Sequence, residues 1–456
     1  MHFLEKLKDL KQNSFSRSVG ILIGGTAFAQ LLMIIVLPLL TRIYGPNDFS
    51  ILAVYTALVT ILSVAAGLRF DIAIPLPDND EEAINILALA LFFSSIVTIL
   101  IAIPITLFPN IISEALKQPG IEPYLFLVPV GIFITSSYNA LQFWATRKKK
   151  FLLISKTRMS QAIFGIATQL SLGVMGLIPL GLILGQLVTS GAGLVGLTRE
   201  VVNDKTQILK RINVASMILN FKTYSRFPKY SSFEALTNSA GIQLPLIAIA
   251  ALAVGAEAGF LMLAMRVMQA PLGLIGSAAS QVYLSRAAEE DRQGTLGEFT
   301  EKTLIGLIKI GIIPLVLACF TAPAAFAILF GDEWRRAGSL VSWMTPWLII
   351  QLLASPISMV MHVKGRQLAM LVLTTIGLLA RLGAVIMAAM WAPGFLSETY
   401  AIASAGFYAI CLTLFCATAG LGSASCGRMA LVFGKLLVFS IAIAIPVQIL
   451  LENIGY

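Results

Sequence analysis

Charge is scarce in this sequence. Only 12% of its 456 residues are Asp, Glu, Lys or Arg, against about 25% in a typical soluble domain. That deficit excludes a chain wetted on all sides. Histidine is scarcer still, with His2 and His362 alone. The four cysteines (Cys319, Cys411, Cys416 and Cys426) lie in or near apolar stretches without metal-ligand spacing. They read as lipid-facing or packing residues and say little about redox compartment. No Ser/His/Asp set, paired carboxylate or metal constellation presents itself in the short polar segments, so neither an enzyme nor a cofactor is expected. Acids are also missing from the middle of the apolar stretches: Glu234, Glu257 and Glu398 stand only at their starts.

What remains is apolar. Hydrophobic residues make up 57% of the chain, in runs of about 20 residues, the length that crosses a hydrocarbon core of about 30 Å. The runs are 18–40, 50–68, 83–107, 124–144, 160–177, 180–198, 232–254, 257–283, 303–330, 338–361, 367–391, 398–419 and 429–450. Pro179 and Gly181 mark a tight turn that divides 160–198 into two spans. Only helices suit such segments, because lipid cannot satisfy the backbone of an open strand. Ala27-Phe28-Ala29 looks like a small-residue cleavage site. The apolar run continues to Leu40, however, so an uncleaved first helix is the better reading.

The net charge of +9 raises the question of nucleic acid, and its placement answers it. With a cytoplasmic N-terminus, 24 of the 32 Lys and Arg fall in cytoplasmic segments and only Arg42, Lys117, Arg335 and Arg336 in periplasmic ones. This is the asymmetry of the positive-inside rule. The basic excess is a topology signal, and no nucleic-acid partner is expected.

The expected organisation is a cytoplasmic amphipathic segment (1–17), an N-lobe of six spans (18–198), a basic cytoplasmic linker (199–231), a C-lobe of six spans (232–419) and an extra C-terminal span (420–456). An even number of spans per lobe starts both on the same side, so a repeat would be parallel. Gly45 to Ser50 parallels Gly255 to Phe260 faintly. The fold class is an all-α polytopic membrane protein: two six-helix lobes in parallel pseudo-repeat, plus one helix.

Ionisable residues deep in an apolar span are functional pointers, since each costs about 2.5–3.5 kcal/mol to insert. Arg266 stands about 14 Å into its span, and Pro271 soon after cannot donate to the carbonyl of Val267, so a bend beside the arginine is expected. The bland alternative is an arginine that bonds a freed carbonyl. Arg381 is equally deep, with backbone carbonyls as its alternative partners. Lys309 is near enough to its span's start to snorkel to the interface; Lys435 reads likewise. Arg69 and Asp71 close the second span as a gate pair or headgroup contact, or else as an interfacial anchor and loop ion pair. Buried charge that is only positive suits an anionic substrate such as a pyrophosphate. Gln residues within spans are sugar contacts or interhelical glue. Arg147 to Lys150, with Lys156 and Arg158, would attract anionic headgroups, although simple topology determination is the preferred reading.

Several motifs occur together and in order. Pro38-Leu39-Leu40-Thr41-Arg42 precedes Gly45-Pro46-Asn47-Asp48-Phe49; then come Gly67-Leu68-Arg69-Phe70-Asp71 with Ala73-Ile74-Pro75, and Ala264-Met265-Arg266-Val267 with Pro271 and Gln281-Val282-Tyr283. Phe330-Gly331, Trp334, Ala337-Gly338, Ser355-Pro356 and Gly365-Arg366 follow. Across about residues 15–370 the chain resembles the Wzx-type polysaccharide (O-antigen and exopolysaccharide) flippases of the multidrug/oligosaccharidyl-lipid/polysaccharide exporter (MOP) superfamily. The resemblance implies a twelve-helix core of two lobes about a central cationic cavity, with alternating access. By position, Arg266 matches that family's eighth-helix arginine, and Arg69 with Asp71 its second-helix end. Arg381 and Lys309 match no motif.

The expected function is translocation of a polyprenyl-pyrophosphate-linked oligosaccharide across the bacterial inner membrane, with the headgroup on Arg266 and Arg381. Partners are the lipid-linked oligosaccharide and membrane lipids, with polysaccharide polymerase and chain-length proteins as further candidates. The rivals are a peptidoglycan-precursor flippase, which the resemblance would give fourteen spans, and a drug/cation antiporter, which the missing intramembrane acids disfavour. A membrane glycosyltransferase or polymerase would need a large loop or acidic site, and a scaffold would leave the buried arginines unexplained.

Overall fold

A computed structural model describes residues 14–203, 208–253 and 255–454. The expected amphipathic segment falls largely on 1–13, outside the described residues. Among the described residues there is helix and no strand, as an apolar chain without water to satisfy its backbone requires. In chain order the helices are α1 (Ser14–Ile43), α2 (Pro46–Ala66), α3 (Asp80–Leu107), α4 (Pro109–Ala115), α5 (Leu127–Arg147), α6 (Phe151–Val174), α7 (Leu180–Gly191), α8 (Leu194–Val202) and α9 (Val214–Thr223). They continue as α10 (Ser232–Leu252), α11 (Glu257–Arg292), α12 (Leu296–Phe330), α13 (Arg335–Ile357), α14 (Val360–Val363), α15 (Gln367–Trp391), α16 (Leu396–Ala419) and α17 (Ser423–Ile454).

Helix occupies each of the thirteen apolar runs, with α6 ending at Val174 and α7 beginning at Leu180, either side of the expected turn. Eleven of the described stretches are long and apolar enough to cross a membrane. The expected spans at α5 and α6 are not among them, because their facing sides carry polar groups. Those groups pair between helices: Tyr138 with Thr157 at 3.0 Å, Arg158 with Gln142 at 2.9 Å, and Gln161 with the carbonyl of Ser190 on α7 at 3.2 Å. The glutamines here are glue.

Contacts divide the chain into two compact units, 1–44 with 51–243 and 45–50 with 244–456. The division falls inside α10, next to Pro245, which interrupts that helix's hydrogen-bond ladder. In the first unit α1 packs on α6, α6 on α7 and α3 on α5. The Tyr44 hydroxyl donates to the carbonyl of Gln169 at 2.7 Å. Its ring fits only because Gly173 and Gly181 lack a Cβ, which would lie 2.6 and 2.2 Å from that hydroxyl.

The basic stretch 199–231 is built onto this unit. Asn85 of α3 is 2% exposed. Its amide donates to the carbonyls of Glu81 (2.7 Å) and Arg211 (3.1 Å), and its oxygen accepts from Asn213 N–H (2.9 Å). Asn220 donates to the Glu82 carbonyl, and the Phe221 ring packs at a tilt against Phe70 and Phe93. Val214, Ile218 and Leu219 of α9 are left exposed, an apolar face of the kind amphipathic interfacial helices carry. Asn85→Ala strands Asn213 N–H and the Arg211 carbonyl, at about 1–3 kcal/mol. Amide exchange should therefore accelerate by roughly tenfold or more across 208–224 and stay unchanged in α5 and α6.

In the second unit α12 packs on α13 and α17, α13 on α11 and α16, and α15 on α16. Phe49, fully buried, meets the Trp334 ring edge-on at 5.0 Å, and Trp334 meets Phe260 at 5.9 Å. A Cβ on Gly259 would lie 2.0 Å from the Pro46 carbonyl oxygen. Thus the two stretches that resemble each other, Gly45–Ser50 and Gly255–Phe260, lie against one another. The thirteenth run, α17, lies along α12, where Arg428 clamps Glu301 through two hydrogen bonds of 2.6 Å.

Candidate functional site

The end of α2 is strained. Leu68 and Arg69 have φ of 48° and 58°, a left-handed region that costs a residue with a Cβ about 1–2 kcal/mol. The turn sets Phe70 into the core and brings Arg69 Nη1 to 3.8 Å from the Asp71 carboxylate. Asp71 is 8% exposed, and burial pushes its carboxyl above the ordinary range while Arg69 and backbone donors oppose the rise. Arg69 Nε is buried without a hydrogen-bond partner. Two adjacent strained residues holding a desolvated ion pair are what functional turns are made of.

The neighbouring basic cluster does a different job. Arg147 binds Asp80 at 2.9 Å and donates to the carbonyls of Pro75, Pro77 and Asp78, while Lys148 takes the other Asp80 oxygen. Lys150 pairs with Glu200 and Arg211 with Glu81. The acidic run after α2 therefore neutralises much of this cluster, and these contacts tie the loop 75–79 and the start of α3 to the end of α5.

The other three candidates stand in the second unit, on three helices. Arg266 is the tenth residue of α11 and half-buried. Pro271 follows inside the same helix, which continues through it to Arg292. Lys309 is exposed on α12 beside the exposed Ile310. Arg381 is 3% exposed on α15; its Nε donates to the carbonyl of Gly377 at 2.8 Å and its guanidinium lies 4.6 Å from the Phe407 ring centroid. Arg69 and Asp71 are brought together, whereas Arg266, Lys309 and Arg381 stand on α11, α12 and α15.

One charged cluster escaped the sequence reading. Arg336 of α13 holds Glu257 of α11 through two hydrogen bonds, 2.7 and 3.3 Å, and Glu398 of α16 at 2.6 Å. Glu398 is 3% exposed, and its second oxygen has no partner. The signal was available: all three residues stand in the first turns of alternate spans, which begin on one face of the membrane. Two apolar grooves lie apart from these clusters. One of about 500 Å³ in the second unit runs between α12, α13, α16 and α17, walled by Ile308, Val316, Phe320, Phe433, Leu437 and Ile441. The other, about 830 Å³, opens in the first unit between α3, α5 and α8, beside Arg199.

A family model described as polysaccharide biosynthesis protein matches residues 39–339, about two-thirds of the sequence. The chain belongs to that polysaccharide biosynthesis family. The matched stretch holds Arg69, Asp71, Arg266, Lys309 and Arg336; Arg381 and Glu398 lie beyond it. No curated protein sequence matches the chain. Among solved structures, the family member is similar to the Lipid II flippase MurJ in an inward closed conformation, with TM-score 0.74 and 15% identity over 95% of this chain and 96% of that one. An inward-facing multidrug resistance transporter of the MATE family matches with TM-score 0.53 and 14% identity, covering 90% and 94%. A MOP-superfamily transporter from Pyrococcus furiosus, for which a reversed binding-pocket polarity is said to suggest a different function, gives 0.51 and 15%, covering 91% and 95%. At these identities the likeness establishes the fold, that of the MOP-superfamily transporters.

Proposed function

We propose that this protein is a flippase that carries a polyprenyl-pyrophosphate-linked oligosaccharide from the cytoplasmic to the outer leaflet of a bacterial inner membrane, its N-terminus cytoplasmic. The observation that carries the reading is Arg266, a cation about 14 Å into α11 and within the span of the polysaccharide family match. A pyrophosphate headgroup supplies the anion such a residue selects. Lys309, exposed halfway along α12, and the Arg69–Asp71 turn are further contacts for the headgroup on its way. Arg381, closed in by Phe407, fits the other role weighed for it, bonding a backbone carbonyl.

The acids bear on the rival antiporter. Glu398 is buried and Glu257 half-buried, yet both stand at helix starts and share Arg336, so the described spans still offer no unpaired carboxylate at mid-depth. The division into two compact units supports alternating access by movement of one against the other. The long tail would stay among apolar walls such as the groove lined by Phe320 and Phe433. A peptidoglycan precursor, the cargo named for MurJ, has the same polyprenyl-pyrophosphate chemistry and is the second reading, favoured by the TM-score of 0.74.

Translocation in proteoliposomes separates these. Arg266→Ala loses charge-assisted bonds worth about 1.5–3 kcal/mol, so the rate should fall roughly 10–100-fold. Arg266→Lys should keep much of it. An unchanged rate in the alanine variant removes Arg266 from the mechanism. Parallel assays with an oligosaccharide-linked and a peptidoglycan-precursor lipid decide the cargo.

A further inference from the structure

The apolar groove of the first unit, about 830 Å³ between α3, α5 and α8, is lined by none of Arg69, Asp71, Arg266, Lys309 or Arg381. Its two ends can be told apart. Ile84 stands near the start of α3, Leu141 near the end of α5 and Arg199 in the last turn of α8. Ion pairs hold these helix ends together: Arg147 of α5 with Asp80 of α3 at 2.9 Å, and Lys150 just after α5 with Glu200 of α8 at 2.9 Å. The groove therefore has a rim at Arg199. Leu91 lies about 10 Å further along α3 than Ile84, and Phe133 about 12 Å back along α5 from Leu141, so these two form its floor.

Rim and floor differ in chemistry. The floor and walls are apolar, and besides Arg199 only Ser137 and Thr198 bring polar side chains to the lining. Val195 and Val202, on the α8 wall, are 77% and 58% exposed. The rim is basic. Arg199 is exposed there, and Leu209 and Ile212 bring the stretch 199–212 against the groove. That stretch carries Arg199, Lys205, Lys210 and Arg211 against only Glu200 and Asp204. Glu200 is already engaged by Lys150, and Glu81 of α3 by Arg211. An apolar slot that opens under a surplus of positive charge has the polarity of an amphiphile with an anionic head.

We propose that this groove is a binding site for an anionic phospholipid, with one acyl chain between α3, α5 and α8 and the phosphate paired with Arg199. Depth selects the occupant first. Two turns of helix take part of an acyl chain, whereas a spanning helix of another protein needs about 30 Å. Charge selects next. A second copy of this chain would bring the same basic stretch to the rim and be repelled, while each base near a headgroup favours a negative lipid over a zwitterionic one. A soluble anion would satisfy Arg199 but leave the apolar walls uncovered. Because Leu209 and Ile212 share the lining with Ile84 and Leu87, the bound lipid would hold the stretch 208–212 onto α3. The site does not depend on what the protein transports.

The test is native mass spectrometry of the purified full chain in detergent, titrated with dioleoyl-phosphatidylglycerol, dioleoyl-phosphatidylethanolamine or undecaprenyl phosphate. The phosphatidylglycerol should bind at least fivefold more tightly than the phosphatidylethanolamine, the worth of one base near a headgroup. Arg199→Gln, a change at an exposed side chain, should weaken phosphatidylglycerol by roughly fivefold and leave phosphatidylethanolamine unmoved. Ala88→Trp, which puts an indole into the groove from the half-buried α3 wall, should remove the tight phosphatidylglycerol site while Arg199 remains. Where that variant fails to fold, Val195→Trp fills the groove from its exposed side. Equal affinity for the two phospholipids would overturn the proposal, as would an Arg199→Gln variant that binds phosphatidylglycerol like the wild type. Phosphatidylglycerol binding that survives the filled groove would mean a charged surface without a chain site. Loss of undecaprenyl phosphate alone on filling would give the groove to a polyprenyl tail, and a dimer that filling dissociates would give it to a second copy; either result overturns the proposal.

Discussion

Arg336→Ala should destabilise the second unit by about 3 kcal/mol, the low end of the 3–5 kcal/mol lost when one partner of a buried ion pair is removed. The low end applies because the Arg336 side chain is 32% exposed while that of Glu398 is 4%. The loss is mostly not the attraction itself. Two carboxylates, Glu257 and Glu398, share this one guanidinium, and without it they repel each other at the starts of α11 and α16. The prediction is checked by Tm in detergent for four variants. Arg336→Ala should fall far. Adding Glu257→Gln and Glu398→Gln to it should recover most of the loss, since uncharged amides do not repel. The double Gln variant with Arg336 kept should itself fall, the cation now being the unpaired partner. A full drop that the two Gln changes do not rescue would mean that Arg336 acts through packing of its side-chain stem rather than its charge.

The same residues show where sequence reading reaches. Span positions were legible, because hydrocarbon dictates both length and helical state and leaves a 20-residue apolar signature that needs no partner. Fold class followed from the same fact. Two of the thirteen expected spans, α5 and α6, fall outside the eleven that are apolar enough to cross a membrane, because polar pairs such as Tyr138–Thr157 replace apolar surface there. The stretch 199–231 reads as a linker in the sequence because it is basic and lies between two sets of spans. Asn85 makes it structure, by two hydrogen bonds, to Arg211 and Asn213, that span 126 and 128 positions.

Charged sites divide the same way. Arg69 with Asp71 was legible as a pair, being two residues apart, and burial added the strain and the desolvated carboxyl. Arg381 was legible as deep, but its surroundings depend on Gly377, Phe407 and Tyr400, whose convergence exists only in the packed unit. The Arg336 cluster was missed because each member alone is an ordinary charge at a helix start. Depth is a local property of a sequence; partnership is not.

Gly338→Val should be the most damaging small change in the second unit. Gly338 lies where α13 crosses α12, and a Cβ there would lie 2.4 Å from the Ala322 carbonyl oxygen and 2.7 Å from Pro323 Cα. Both are backbone atoms, so no rotamer change relieves the clash and the helices must separate. Separation then exposes a second cost. Pro323 cannot donate to the carbonyl of Cys319, four residues earlier. That freed oxygen accepts instead from the Ser342 hydroxyl, one turn along α13 from Gly338. Overpacking costs about 1–3 kcal/mol, and stranding the Cys319 carbonyl a further 1–3 kcal/mol or so. Because the glycine sets the approach that the serine exploits, the two should not add. Ser342→Ala should cost about 1–3 kcal/mol in the wild type and close to nothing beside Gly338→Val, where the bond is already gone. A double-variant cycle by thermal or denaturant unfolding measures this. Full additivity would mean that α12 and α13 keep their distance in the valine variant, and that the contact at Gly338 does not hold Ser342 to Cys319.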